Sequence, residues 1–132
     1  MQRALQLENE CADTFADAAY QVHQNPTRQE IGQARHDTGD TGEPDKDPDY
    51  LVEGHVFDCY SPTATRAVRG VWTAVEEKIV RKQTQRVVIN LQDWTGDLGA
   101  LRKQFDDWLI PNLKEVAAVT RNGEIIQILR RD

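Results

Sequence analysis

Three acidic residues hold the clearest chemical potential in this chain: Glu8, Asp49 and Asp58. Asp49 and Asp58 bracket Tyr50-Leu51-Val52-Glu53-Gly54-His55-Val56-Phe57, which reads as two short apolar strands around a Glu53-Gly54 turn. Residues equally distant from a turn face each other in an antiparallel pair, so counting outward makes Asp49 and Asp58 cross-strand neighbours. Like charges in that position destabilise a sheet, and a divalent cation is a common compensator. The other outcome open to them is a pair of solvated carboxylates at fraying hairpin ends. Magnesium keeps several waters while accepting one or two carboxylates and a substrate phosphate. A cation so held polarises a phosphoryl group and activates water, which suits phosphodiester hydrolysis.

The elements that must position these acids are legible in the hydrophobic pattern. Over residues 2–19, Ala4, Glu8, Cys11, Ala12, Phe15 and Ala19 recur at spacings of three and four, predicting a helix. Glu8 is the one charged residue on that apolar face, and an acid there needs a reason because burying it alone is costly. Tyr20 to Gln24 alternates like a short strand that stops at Asn25-Pro26. Residues 26–48 hold Ile31 as their only large apolar side chain and read as a long, flexible, exposed loop. After the hairpin, Ala67, Val68, Val71, Trp72, Val75, Ile79 and Val80 predict a helix from about Thr65 to Lys82. Arg86 to Leu91 is rich in β-branched residues and predicts a central strand. Leu98 to Leu109 repeats at helical spacing and ends before Pro111. Glu115 to Thr120 and Glu124 to Leu129 predict a second hairpin around Arg121-Asn122-Gly123. The predicted order, α-β-β-β-α-β-α-β-β, is a mixed α+β (α/β) sheet flanked by helices in a single domain of 132 residues.

Composition narrows the function class. Hydrophobic content of 39% and charged content of 29% are ordinary for a globular chain, and no apolar run reaches membrane-span length. Met1 to Leu5 lacks a signal-peptide pattern, so the expectation is action in a cytoplasm or membership of a longer chain. Cys11 and Cys59 make neither a disulfide framework nor a zinc set and read as small buried hydrophobes. The net charge of −6 is unevenly spread. Residues 1–58 carry four basic against thirteen acidic side chains, and residues 59–132 carry twelve against nine. The basic stretch 62–86 offers Arg66, Arg69, Lys78, Arg81 and Arg86 as phosphate contacts, since nucleic-acid footprints are local patches. The alternative for that stretch is a solvated helix face.

Several blocks carry a family resemblance. The helix Glu8-x-x-Cys11-x-x-x-Phe15-x-x-x-Ala19-Tyr20 resembles the opening helix of PD-(D/E)xK nucleases, and Asp49 and Asp58 match the two acids of their central hairpin. Phe57-Asp58-Cys59-Tyr60-Ser61-Pro62, the stretch Lys82 to Leu91, and Gln104-Phe105-x-Asp107-Trp108-x-Ile110 resemble the C-terminal toxin domains of CdiA contact-dependent growth inhibition proteins. The likeness runs over about residues 5–130. It implies a restriction-endonuclease-like core and a tRNA endonuclease in which Glu8, Asp49 and Asp58 hold a divalent metal, with magnesium the expected ion. It implies delivery, as part of a larger cell-surface protein, into the cytoplasm of a neighbouring bacterium. It also implies a cognate immunity protein and, for some relatives, a translation elongation factor as helper.

One position departs from the pattern. A lysine is expected two residues after the second acid, and Tyr60 stands there. Phosphoryl transfer still needs a group that neutralises developing charge or orients water. Lys82 and Gln83 are the candidates for a migrated equivalent, with Lys78 one turn earlier behind them, and Ser61 and Thr63 could contact phosphate after the strand. A metal-free ribonuclease would instead use a histidine near neutrality, and His55, close to the hairpin turn, is the nearest. Trp72 and Trp108 fall on apolar helix faces and are expected in the core, while Trp94 sits in a loop between core and surface roles. Asp93 and Asp97 flank Trp94 and are expected to cap the following helix and not to bind metal. A DNase on the same fold and a catalytically dead binding module stay open at this level.

Overall fold

The computed structural model describes residues 3–131. The elements run α1 (Arg3–Asp17), β1 (Val22–Gln24), α2 (Arg28–Thr38), β2 (Tyr50–Val52), β3 (His55–Tyr60), α3 (Val68–Val80), β4 (Arg86–Asn90), α4 (Leu98–Asp107), β5 (Glu115–Val119) and β6 (Ile125–Arg130). The strands form one mixed six-stranded sheet in sequence order. β1, β2 and β3 are antiparallel neighbours, β3, β4 and β5 are parallel, and β5 and β6 are antiparallel. Each parallel step needs a crossover, and α3 and α4 supply them.

Period-two alternation divides the central strands between two cores. Val87 and Ile89 of β4 and Val116 and Ala118 of β5 pack with Val71, Val75 and Ile79 of α3 and with Leu101 and Phe105 of α4. Val88, Ala117 and Val119 point the other way and bury Cys11, Ala12 and Phe15 of α1 together with Tyr50, Val52 and Phe57. The helices thus lie on both faces, as a buried parallel core requires.

The segment 26–48 is not a loop throughout, contrary to what its composition suggests: residues 39–48 are irregular, but the stretch just before them is not. Residues 28–38 form α2, and the reason is local. Thr27 and Glu30 make a reciprocal capping box, and Gly39, with φ of 80°, closes the C-terminus in the left-handed conformation. Only Ile31 and Ala34 are buried from this helix, against Val56. So narrow an apolar stripe produces almost no periodic signal. The second hairpin closes around Arg121-Asn122-Gly123 as expected, as a three-residue loop with Gly123 taking φ of 80°. Asp97 caps α4 as expected, accepting from the Ala100 N–H at 2.8 Å, whereas Asp93 does not cap it and instead accepts from the Arg3 guanidinium.

Candidate active site

The acids gather where the first hairpin opens. Glu53 and Gly54, with φ of 51° and 79°, make the tight turn that matches strand twist, and the turn sets the register. Tyr50 pairs with Phe57, so Asp49 and Asp58 are the next residues outward. The Asp49 N–H donates to Asp58 Oδ1 at 3.2 Å, and Asp49 Oδ2 accepts from the Cys59 N–H at 2.8 Å. β3 runs past the first residue of β2, and Asp58 to Tyr60 pair on their other side with Val87 to Ile89 of β4. Glu8 of α1 reaches this gap half-buried, and the Tyr50 hydroxyl donates to the Glu8 carbonyl, anchoring the helix there.

The cationic side comes from the end of α3. The Lys82 N–H donates to the Ile79 carbonyl and the Gln83 N–H to the Lys78 carbonyl, both at 3.0 Å, with Lys82 at φ 58°. This is the Schellman pattern, built with lysine at the left-handed position that glycine usually fills. It ties Gln83 back to Lys78 and swings Lys82 away. Lys78 Nζ sits 2.5 Å from Asp58 Oδ2, and Gln83 Nε2 donates to the same oxygen. Lys82 instead lies 3.9 Å from Glu43, with 69% of its side chain exposed. The expectation that Lys82 assists the acids is therefore corrected: Gln83 does reach them, and Lys78 takes the place given to Lys82. The missed signal was positional, because a helix C-terminus brings residues five apart together and expels the one between.

Glu8, Asp49, Asp58, Ser61, Lys78 and Gln83 line one cleft of about 340 Å³, together with Cys59 and Tyr60. Burial, reinforced by the neighbouring Asp58 carboxylate, pushes the Asp49 carboxyl up to about 9. Burial also raises Glu8, the Asp58 charge adds to that, and Lys78 opposes it. The pair therefore resists carrying two charges, and a divalent cation would relieve it. Among the described residues no three His, Cys, Asp or Glu side chains close into a cage. The carboxylates offer oxygen donors on an open cleft, the donor type that magnesium takes alongside water and phosphate.

A sequence model of the contact-dependent growth inhibition CdiA C-terminal domain matches residues 46–125. The match spans more than half of the chain and contains Asp49, Asp58, Lys78 and Gln83. The chain belongs to this family.

Among relatives of this CdiA C-terminal domain, the tRNA nuclease CdiA-2 of Burkholderia pseudomallei strain 1026b is 34% identical over 123 residues. That alignment takes in 93% of this chain but 4% of the length of the relative. A chain of the CdiA-CT/CdiI toxin and immunity complex from Burkholderia pseudomallei superposes with a TM-score of 0.80 at 30% identity. The superposition covers 98% of this chain and 86% of that one. The mixed fold is thus that of a CdiA C-terminal toxin.

The other expected contacts of this CdiA domain divide. Thr63, Arg66, Arg69 and Arg81 are exposed on the loop before α3 and along that helix to its end. Arg86 is not a phosphate contact. It is 2% exposed and bonds Asp40 at 2.8 Å and Glu115 at 2.5 Å, while Lys114 and His55 also reach Asp40. His55 therefore belongs to that network and not to the acid cleft. Burial pushes the Asp40 carboxyl up, but the hydrogen bonds from Arg86, Lys114 and His55 outweigh it and hold it well below the usual range. Trp72 is buried as expected, and Trp94 is a core residue whose Nε1 donates to the Arg66 carbonyl. Trp108 is instead 42% exposed, with its ring edge-on to Trp72 and the Arg69 guanidinium 4.8 Å from its centroid. Cys11 is buried, whereas Cys59 is only half-buried and borders the cleft.

Proposed function

We propose that this domain is an endoribonuclease that cleaves tRNA phosphodiester bonds in the cleft of Glu8, Asp49 and Asp58. The observation that carries the reading is that three acids, Lys78 and Gln83 converge on one open cleft of a CdiA C-terminal toxin fold. Asp49 and Asp58 would hold a magnesium ion with Glu8 at its edge, and the bound ion would polarise the phosphoryl group and activate water. Lys78 supplies fixed positive charge beside the reacting phosphate, and Gln83 holds the Asp58 carboxylate in place. Ser61, at the cleft rim, donates to a phosphate oxygen. This assigns the acids the role they have in PD-(D/E)xK nucleases, with Lys78 standing in for the lysine that Tyr60 replaces.

The rest of the reading is delivery into the cytoplasm of a target cell within a larger protein, and a cognate immunity protein that blocks the cleft; the much longer relative and the toxin and immunity complex support the larger protein and the immunity partner. None of the described helices is long and apolar enough to cross a membrane. The test is cleavage of total tRNA and of plasmid DNA, with magnesium or EDTA, by wild type and Asp58→Ala. Discrete tRNA fragments that vanish with EDTA and in the variant are expected. Cleavage that survives EDTA would discard the metal, and cleavage of DNA alone would discard the RNA substrate. tRNA cleavage only after addition of translation elongation factors would make such a factor a helper.

A further inference from the structure

The acid cleft does not end at Lys78. Tyr60, Lys78 and Gln83 line it and also line an adjoining depression of about 220 Å³, which continues along α3 past Ala74, Glu77 and Arg81. The two hollows therefore adjoin, with Tyr60, Lys78 and Gln83 common to both. Tyr60 is half-buried, packed against the main core yet open to both hollows. Arg81 is exposed and has no ion pair or side-chain hydrogen bond among the described residues, and Glu77 is likewise exposed without one.

A polynucleotide whose reacting phosphate lies at the acids must continue somewhere, and the second hollow has the parts a nucleotide needs. An aromatic ring offers a base a stacking surface that any base can use. A free guanidinium suits a phosphate oxygen pair. A carboxylate rejects phosphate but accepts from an exocyclic base amine, such as cytosine N4. We propose that the Tyr60–Arg81 hollow is a nucleotide subsite. It holds the residue next to the scissile phosphate, with the base stacked on Tyr60 and its edge turned to Glu77. The flanking phosphate lies on Arg81. Tyr60 and Arg81 are then substrate-positioning residues, and Glu77 biases which base is accepted. The departure at Tyr60 acquires a purpose: the motif lysine has moved to α3, and the vacated strand position grips the substrate. This inference rests on the nuclease reading above.

Steady-state cleavage of total tRNA by wild type, Tyr60→Phe, Tyr60→Trp, Tyr60→Ala, Arg81→Ala and Glu77→Gln tests it, with fragment ends sequenced. Loss of one stacked base corresponds to roughly a fivefold to hundredfold weaker interaction. Tyr60→Ala should raise KM within that range with kcat changed by less than about threefold, and the aromatic variants should restore KM. Arg81→Ala should raise KM and flatten its dependence on salt. Glu77→Gln should change the base preference next to the cut. An unchanged KM in both Arg81→Ala and a folded Tyr60→Ala would overturn the subsite while leaving the nuclease reading intact. Equal loss in Tyr60→Phe and Tyr60→Ala would overturn stacking. A wild type that cuts no RNA either alone or with added translation elongation factors would overturn both readings.

Discussion

Replacing Asp49 by asparagine should stabilise this domain while disabling it. Asp49 is raised from an ordinary 3.8 to about 9 by burial and by the Asp58 carboxylate. The folded protein thus keeps a proton that the unfolded chain has already lost at neutral pH. The sign follows from linkage: above pH 3.8 the unfolded chain binds fewer protons, so this group makes stability fall as pH rises towards the folded value. About three pKa units separate 3.8 from pH 7, each worth about 1.4 kcal/mol, which sets a ceiling of about 4 kcal/mol. Asn is isosteric and keeps the bond from the Cys59 N–H while its amide donates to Asp58. Relaxation and water entry around a cleft side chain reduce the ceiling, leaving an expected gain of about 1–3 kcal/mol. For a chain of 132 residues that raises Tm by about 4–10 °C. Thermal and urea unfolding of metal-free wild type and Asp49→Asn from pH 5 to 8 would measure it. The gap should widen with pH by at most about 1.4 kcal/mol per unit, while tRNA cleavage drops at least a hundredfold. A variant less stable than wild type at pH 7, or a gap independent of pH, would refute the reasoning.

The remaining predictions separate structural from functional charges. Arg86→Met removes the buried cation shared by Asp40 and Glu115, leaving Asp40 to the partly exposed Lys114 and His55, and should cost about 3–5 kcal/mol, lowering Tm by about 10–18 °C, with no change in tRNA affinity below the transition; melting curves and a binding titration check this. Lys78→Met should lower kcat for tRNA a hundredfold or more, whereas Lys82→Gly should leave cleavage intact and stabilise the fold by up to about 1 kcal/mol by relieving the left-handed strain. Thr27→Ala breaks the capping box and should cost about 1 kcal/mol, visible as faster hydrogen exchange across α2 before global unfolding changes.

What the sequence determined by itself was whatever short-range chemistry controls. The pairing of Asp49 with Asp58 follows from a left-handed Glu53-Gly54 turn, because turn type and register are set within ten residues. The central strand and the helices α1, α3 and α4 were legible because wide apolar stripes repeat at the helical or strand period. α2 was overlooked for the opposite reason: its signal lay in its caps, Thr27, Glu30 and Gly39, and not in hydrophobic spacing. Tertiary structure decided the rest. Arg86 looks identical to Arg81 in a sequence, but partners 46 and 29 residues away bury one and leave the other lining the hollow beside the cleft. Lys78 and Lys82 differ by a single helical turn, and only the chain reversal after α3 aims the first at Asp58 and the second at solvent. Charge identity is local, whereas the partner that turns a charge into a strut, a ligand or a substrate contact is supplied from across the fold.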